Sequence, residues 1–223
     1  MENNSSEIIS SLFDTAISKY NSGDFEDAIQ DFKKITKIDP ELSSPYQNIG
    51  ICKCNLGDLE GAIKEYSKSI QLNKKNAIAY SNRGAAKSNL GDHKGAIDDY
   101  GKALEINPND SYSYFNRGIS RSSIEDYEGA IDDYLEAIKL NPNDSTFLTN
   151  LGVANLKLGD YQSTILNSTN AININPNNAI AFCNRGIAKE FLGDYDGAIK
   201  DWEKSSQLGS KEAKKLLKKY YSW

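Results

Sequence analysis

The sequence predicts an all-α protein, a solenoid of six stacked helix pairs followed by one capping helix. A motif recurs every 34 residues, each copy carries two amphipathic stripes, and a short break separates the stripes. The break is the pair Gly-Asp, with Glu125-Asp126 in the one place where the glycine is missing; its glycines are Gly23, Gly57, Gly91, Gly159 and Gly193. Such a repeat buries its apolar face only by stacking on its neighbours.

Other small residues and prolines keep the same spacing and fix the boundaries of the repeats. Recurrent glycines occupy the first stripe: Gly50, Gly84, Gly118, Gly152 and Gly186. Recurrent alanines occupy the second stripe, with Thr164 in the fifth repeat: Ala28, Ala62, Ala96, Ala130 and Ala198. We therefore expect a disordered N-terminal tail at 1–8, repeats at 9–42, 43–76, 77–110, 111–144, 145–178 and 179–212, and a capping helix at 211–223.

Each repeat is predicted to contain two helices whose ends are encoded locally. The glycine of the break lets the chain leave the first helix, and the aspartate after it can cap the second. A proline near the end of most repeats stops the second helix; these prolines are Pro40, Pro108, Pro142 and Pro176. The small residues let the two helices approach closely, and an aromatic such as Tyr66 or Trp202 fills the space beside them.

A 34-residue helix pair with these small, aromatic and proline positions resembles the tetratricopeptide repeat over residues 9–212. The resemblance implies a right-handed superhelical solenoid in which the first helices line a concave groove. Three repeats depart from the family with arginine where leucine is usual: Arg83, Arg117 and Arg185. The fifth repeat departs most, with Thr164 and Ser168 where alanine and an aromatic belong, and we expect it to limit stability.

The three arginines point to ion pairs between the two helices of a repeat. Each is followed sixteen residues later by an aspartate, namely Asp99, Asp133 and Asp201. Repeats with Ile49 or Leu151 in place of the arginine have Glu65 or Asn167 at the later position. One interpretation is a tether between the helices, and the other is a row of arginines that faces a ligand.

The two ends have the polar outer faces of terminal repeats, which favours a complete solenoid. The last helix is amphipathic and carries five lysines: Lys211, Lys214, Lys215, Lys218 and Lys219. They can complement the helix dipole of a cap, or they can attract a membrane or an acidic partner.

Composition argues against several functional classes. A net charge of −5 disfavours nucleic acid and anionic membranes as partners, and no run approaches the ~20 apolar residues of a membrane span. Cys52, Cys54 and Cys183 lack metal-binding spacing and are expected to be buried or half-buried thiols in a reducing compartment, most simply the cytoplasm. The single histidine, His93, is assigned a structural role, and there is no phosphate loop or dinucleotide fingerprint. We therefore expect a non-catalytic protein with no metal and no cofactor.

The candidate binding residues are asparagines that recur along the first helices: Asn48, Asn82, Asn116, Asn150 and Asn184. By the resemblance they form a ladder in the groove, where each amide can pair with both a C=O and an N–H of an extended peptide. Apolar residues around the ladder would contact the side chains of the peptide, above all Tyr112, Phe115 and Ile119. The predicted function is a scaffold that binds an unidentified protein or peptide partner, as a monomer or weak homo-oligomer.

Two alternative functions remain, one within the binding class and one from another class. A cochaperone that docks heat-shock chaperones would need a carboxylate clamp, and the position of its lysine holds Gln47, Ser81, Phe115, Thr149 and Cys183 in successive repeats. The clamp is absent, so this function is disfavoured. Self-association through the end caps or the groove is the other alternative, and sedimentation at two concentrations tests it.

Overall fold

The computed structural model describes residues 2–221, with side chains from 5 to 220, and all regular structure within that part of the chain is α-helical. The chain divides into two compact units, Met1–Pro108 and Asn109–Trp223. The first unit contains α1 (Glu2–Ser22), α2 (Phe25–Ile38), α3 (Ser43–Asn55), α4 (Leu59–Leu72), α5 (Ala77–Asn89) and α6 (His93–Ile106). The second contains α7 (Ser111–Ser123), α8 (Tyr127–Leu140), α9 (Ser145–Lys157), α10 (Tyr161–Ile174), α11 (Ala179–Phe191), α12 (Tyr195–Gln207) and α13 (Lys211–Tyr221).

The helices pack as consecutive pairs, three in each unit, and α13 packs on α12. Odd-numbered helices from α1 to α11 are the first helices of the pairs, and even-numbered ones are the second helices. Each pair occupies one of the predicted repeats, except that α1 starts before residue 9. The predicted all-α class is confirmed. The capping helix extends to Tyr221, and residues 222–223 of its predicted range lie outside the described residues.

The N-terminal segment differs from the prediction, because residues 2–8 are helical rather than disordered. Ile9 and Leu12 pack against the first hydrophobic cluster, which fixes the start of α1 on α2. Once a helix is fixed in this way, each added residue gains one backbone hydrogen bond, so extension is much cheaper than nucleation. Met1 lies outside the described residues.

The turns between the paired helices have the predicted chemistry. All five glycines of the Gly-Asp pairs have positive φ, between 78° and 88°. Glu125 occupies the missing glycine position with φ 64°, which makes it the one non-glycine residue of positive φ in the described chain. The next aspartate accepts a hydrogen bond from the backbone N–H three residues later in five of the six turns; these aspartates are Asp58, Asp92, Asp126, Asp160 and Asp194.

In four of the six pairs, close packing depends on a glycine that faces an aromatic ring. A Cβ added to Gly50 would lie 2.5 Å from the Tyr66 ring, and one added to Gly118 would lie 2.6 Å from the Tyr134 ring. In the fifth repeat, a Cβ on Gly152 would meet only the Ser168 Oγ, at 3.3 Å, as its nearest neighbour. The fifth pair is therefore the one in which a serine stands where a ring packs elsewhere.

Candidate functional site

The first helices of each unit share one face, which we call the inner face. Consecutive first helices contact each other as well as their own partners: α3 with α5 in the first unit, and α7 with α9 and α9 with α11 in the second. Side chains on this face therefore come from neighbouring repeats. The candidate asparagines divide between the units, with Asn48 and Asn82 in the first and Asn116, Asn150 and Asn184 in the second.

Four of the five asparagines are half-buried, and the side chains of two of them donate a hydrogen bond to the backbone of their own helix. Asn48 Nδ2 donates to the Ser44 carbonyl and Asn150 Nδ2 donates to the Thr146 carbonyl, each at 2.9 Å. A carboxamide has two N–H donors and an oxygen acceptor. One backbone bond of this kind orients the amide and leaves it a further donor and an acceptor.

Asn184 differs from the other ladder residues. Its side chain is buried, at 9% exposure, and its Nδ2 has no hydrogen-bond partner among the described residues. The repeat pattern predicts the same face for all five asparagines but not the same depth, so Asn184 is the least accessible of them.

Two equivalent pockets open on the inner face, one in each unit. The pocket in the first unit lies between α3, α4 and α5 and is lined by Ile51, Cys54, Asn55, Leu59, Tyr66, Asn82, Ala85, Ala86 and Asn89. The pocket in the second lies between α7, α8 and α9 and is lined by Ile119, Ser122, Ser123, Tyr127, Tyr134, Asn150, Val153 and Lys157. Every residue of the second pocket has a counterpart in the first exactly two repeats earlier in the sequence. Each pocket therefore contains one ladder asparagine and is an intrinsic feature of the repeat.

A buried tyrosine forms part of each pocket. The Tyr66 hydroxyl lies 3.5 Å from the Cys54 Sγ, and the Tyr134 hydroxyl lies 3.2 Å from the Ser122 Oγ. Burial raises the pKa of both phenols above the usual value. The two phenols are therefore neutral at physiological pH, and Lys157 of the second pocket is the one charged side chain in the lining of the two pockets.

The three predicted apolar residues lie in different environments. Tyr112 is exposed and meets Phe147 edge-on, at 5.8 Å between ring centroids. Phe115 is half-buried and lies on Phe147 at 4.6 Å, so that much of its ring belongs to the core. Ile119 lines the pocket that contains Asn150.

The three predicted arginines link the two helices of their own repeat through ion pairs. Arg83 is bonded to Asp99 through two nitrogens, at 2.9 and 2.6 Å, and Arg117 and Arg185 make the corresponding bonds to Asp133 and Asp201. All three aspartates are buried. The predicted intra-repeat pair is confirmed, and the guanidinium groups are occupied by the scaffold rather than turned toward a ligand.

A second cation joins each pair, which the sequence interpretation missed. Lys87 lies 2.8 Å from Asp99, Arg121 lies 3.0 Å from Asp133, and Lys189 lies 2.8 Å from Asp201. The signal was present, since a basic residue recurs four residues after each arginine. We call each set of two cations and one aspartate an ion clamp.

Family profiles identify the repeat. Tetratricopeptide repeat profiles match residues 16–42, 77–110 and 100–132, and a TPR repeat profile matches 53–91 and 123–159. Together these matches span 16–42 and 53–159, more than half of the chain. The chain belongs to the tetratricopeptide repeat family.

Solved structures of tetratricopeptide repeat proteins have the same fold. A crystal structure of MamA is 27% identical, with a TM-score of 0.72 over 78% of this chain and 96% of that one. YrrB, described as a TPR protein with an unusual peptide-binding site, is 22% identical, with a TM-score of 0.76 over 84% and 97%. PilF of Pseudomonas aeruginosa is 17% identical, with a TM-score of 0.81 over 97% and 99%. No curated protein matches the sequence.

Three other predictions for this tetratricopeptide repeat protein concern a metal site, a membrane span and the cysteines. Within residues 2–221, no three His, Cys, Asp or Glu side chains are grouped to hold a metal ion, and no helix has the length and apolarity to cross a membrane. Cys52 and Cys183 are buried free thiols and Cys54 is half-buried, as predicted. Burial raises the pKa of Cys52 to about 11, so this thiol is protonated and a poor nucleophile at neutral pH.

Proposed function

We propose that the protein is a non-catalytic scaffold that binds an extended segment of a partner protein on the inner face of its first helices. The ladder asparagines pair with the main chain of the segment, and the pockets accept its side chains. The observation that carries the proposal is the recurrence of one pocket in both units, each with a ladder asparagine in its lining. The three free cysteines fit a reducing compartment such as the cytoplasm.

A peptide is the ligand class that suits this chemistry. An extended chain presents one C=O and one N–H per residue, and the side-chain amide of an asparagine can form hydrogen bonds with both groups. The exposed surface of the pockets is mostly apolar, with a few polar groups and one lysine, Lys157, which is typical of sites for side chains. YrrB, which is similar in fold, is described as having a peptide-binding site, and we carry only that ligand class to this chain.

The test starts from a random 12-residue peptide library displayed on phage and selected on the full chain. Changing Asn82, Asn116 and Asn150 together to Ala should weaken selected peptides by about twofold to a hundredfold, because a peptide bound within one unit loses one or two pairings at about 0.5–1.5 kcal/mol each. The loss should be similar for peptides of different sequence, because main-chain contacts do not read side chains. Ile119→Ala should instead discriminate among the peptides.

Asn170 and Asn173 provide the matched control. Both are exposed on α10, which is a second helix and contributes no ladder position. Asn170→Ala with Asn173→Ala should leave binding unchanged, and circular dichroism should show that all variants retain helicity and melting temperature. Unchanged binding in the triple variant, or its unfolding, would mean that the asparagines serve only the scaffold.

A further inference from the structure

The turn between α11 and α12 exposes two aromatic side chains to solvent. Phe191 is 62% exposed and Tyr195 is 55% exposed. The positions that correspond to Phe191 in the other repeats are all polar: Asn21, Asn55, Asn89, Ser123 and Lys157. The positions that correspond to Tyr195 are half-buried in the other five repeats. The repeat therefore does not require an exposed aromatic pair, and this pair is specific to the last turn.

Neighbouring rings hold the two aromatics in place. Phe191 stacks on Tyr161, with ring centroids 4.5 Å apart and an angle of 5° between the planes. Tyr195 lies 6.5 Å from the Tyr220 ring of α13. Phe191, Tyr195 and Tyr220 line one open pocket together with Glu190 and Lys219.

Hydrogen bonds fix the polar wall of this pocket. Glu190 Oε1 accepts hydrogen bonds from the Tyr220 hydroxyl and from Lys219 Nζ, the latter at 3.0 Å. Burial raises the pKa of Glu190, but these two bonds outweigh it, and the net pKa lies below its usual value. The wall is therefore charged and ordered at neutral pH, and it positions α13 against the turn.

One lysine of α13, Lys219, lines the pocket, and four more lie on the same helix, although the whole chain has a net charge of −5. All five lysines are exposed. The helix dipole accounts only for Lys218 and Lys219 in the last turn, since cations near a helix N-terminus are unfavourable. Lys211, Lys214 and Lys215 lie in the N-terminal half of α13, so capping does not explain them.

The apolar side of α13 is already used by the fold. Ala213 is fully buried, and Leu216, Leu217 and Tyr220 pack against the cluster that contains Cys183 and Trp202. An interfacial membrane helix inserts its apolar face beside its basic face. That face is not available here, so the charge complementarity favours a protein segment over a lipid surface.

We propose that Phe191, Tyr195 and the α13 lysines form a docking surface for an acidic protein segment that carries one aromatic or large aliphatic anchor residue. The anchor packs on Phe191 and Tyr195, and carboxylates on either side of it meet the lysines. We call this the turn surface. Its pocket shares no residue with the two pockets of the proposed groove, and its test follows a different class of peptide, so failure of one proposal is distinguishable from failure of the other.

The test uses the same phage-displayed random 12-residue library, selected on the full chain. Enriched peptides of one class should combine several Asp or Glu residues with one apolar anchor. Phe191→Asn restores the type of residue found in other repeats and should reduce their affinity at least tenfold, the size typical of an interface anchor. Lys211→Gln with Lys214→Gln should weaken the same peptides, and the effect should shrink as salt is raised.

Tyr112→Asn is the matched control, because Tyr112 is an aromatic of 58% exposure on the predicted groove. It should leave the acidic class unchanged, and the ladder triple variant should do so as well. The proposal would be overturned if no acidic peptides are enriched, if Phe191→Asn binds them as tightly as the unchanged chain does, or if the lysines bind vesicles of phosphatidylcholine and phosphatidylserine in place of peptides. A dimer in sedimentation that Phe191→Asn converts to a monomer would assign the surface to a second copy of the chain and would also overturn it.

Discussion

Ser168 offers the sharpest test of the packing argument. It is buried on α10, at 1% exposure, and its Oγ has no hydrogen-bond partner among the described residues. The same position carries Tyr66, Tyr134 or Trp202 in other repeats. Ser168→Ala removes the unpaired hydroxyl without introducing a larger side chain.

The expected gain follows from two contributions. A buried polar group without a partner costs about 1–3 kcal/mol. Alanine is also the better helix former, by up to about 0.7 kcal/mol. We therefore expect Ser168→Ala to raise the free energy of unfolding by about 1–3 kcal/mol, which corresponds to a rise of roughly 2–10 °C in Tm for a chain of this size. Thermal and urea unfolding, followed by circular dichroism, measure both quantities.

Ser205 is the matched control, because it is a fully buried serine on α12 whose hydroxyl is paired. Its Oγ donates to the Ala179 carbonyl at 2.7 Å. Ser205→Ala breaks that bond, leaves the carbonyl without this donor, and should lower stability by about 1 kcal/mol or more. Opposite signs for the two substitutions support the argument, and a fall in Tm for Ser168→Ala would refute it.

Thr164, the other polar residue at a packing position of the fifth repeat, differs from Ser168 because its hydroxyl is paired. The Thr164 hydroxyl donates to the Asp160 carbonyl at 2.8 Å, one helical turn earlier. A backbone carbonyl within the same helix is a partner that a threonine reaches without any tertiary contact. Only Ser168 is therefore expected to gain from replacement by alanine.

Two further predictions concern glycine positions. Glu125→Gly should stabilise the protein by about 0.5–1 kcal/mol, since a left-handed conformation costs a non-glycine residue about 1–2 kcal/mol and glycine loses part of that gain through entropy; chemical denaturation checks it, and an unchanged or lower midpoint contradicts it. Gly118→Ala should destabilise by about 1–3 kcal/mol, because its Cβ would lie 2.6 Å from the Tyr134 ring. Gly152→Ala should be neutral or stabilising by up to about 1 kcal/mol, because its Cβ would meet the Ser168 Oγ at 3.3 Å and backbone atoms of Ser168 and Thr164 at 3.8 Å, with no ring in the way; equal melting temperatures for the two variants would contradict the packing difference.

Periodic features of the fold could be predicted from the sequence. The paired helices, the glycine turns, the aspartate caps and the ion pair between Arg83 and Asp99 all recur at a fixed spacing. A feature that recurs from repeat to repeat is specified by local chemistry and by contacts with the adjacent repeat. Those are the contacts that a repeat pattern encodes.

How deeply a side chain is buried could not be predicted from the sequence in the same way. Helical periodicity assigns Asn184 and Asn150 to the same face, yet the first is buried and the second is half-buried. Likewise, Phe115 was expected in the groove, but much of its ring packs on Phe147 of the next repeat. Periodicity gives the direction of a side chain, whereas its depth depends on the size of residues that differ from one repeat to the next.

In the fifth repeat, neutral residues replace a whole ion clamp. Its three clamp positions are all neutral at once, with Leu151 for the arginine, Asn155 for the second cation and Asn167 for the aspartate. Leu151 and Asn155 are buried. Removing one partner of a buried ion pair is strongly destabilising, whereas exchanging the whole set for neutral residues is often tolerated. The joint change therefore avoids an uncompensated charge, and the hydroxyl of Ser168, not the missing clamp, is the defect that we expect to weaken this repeat.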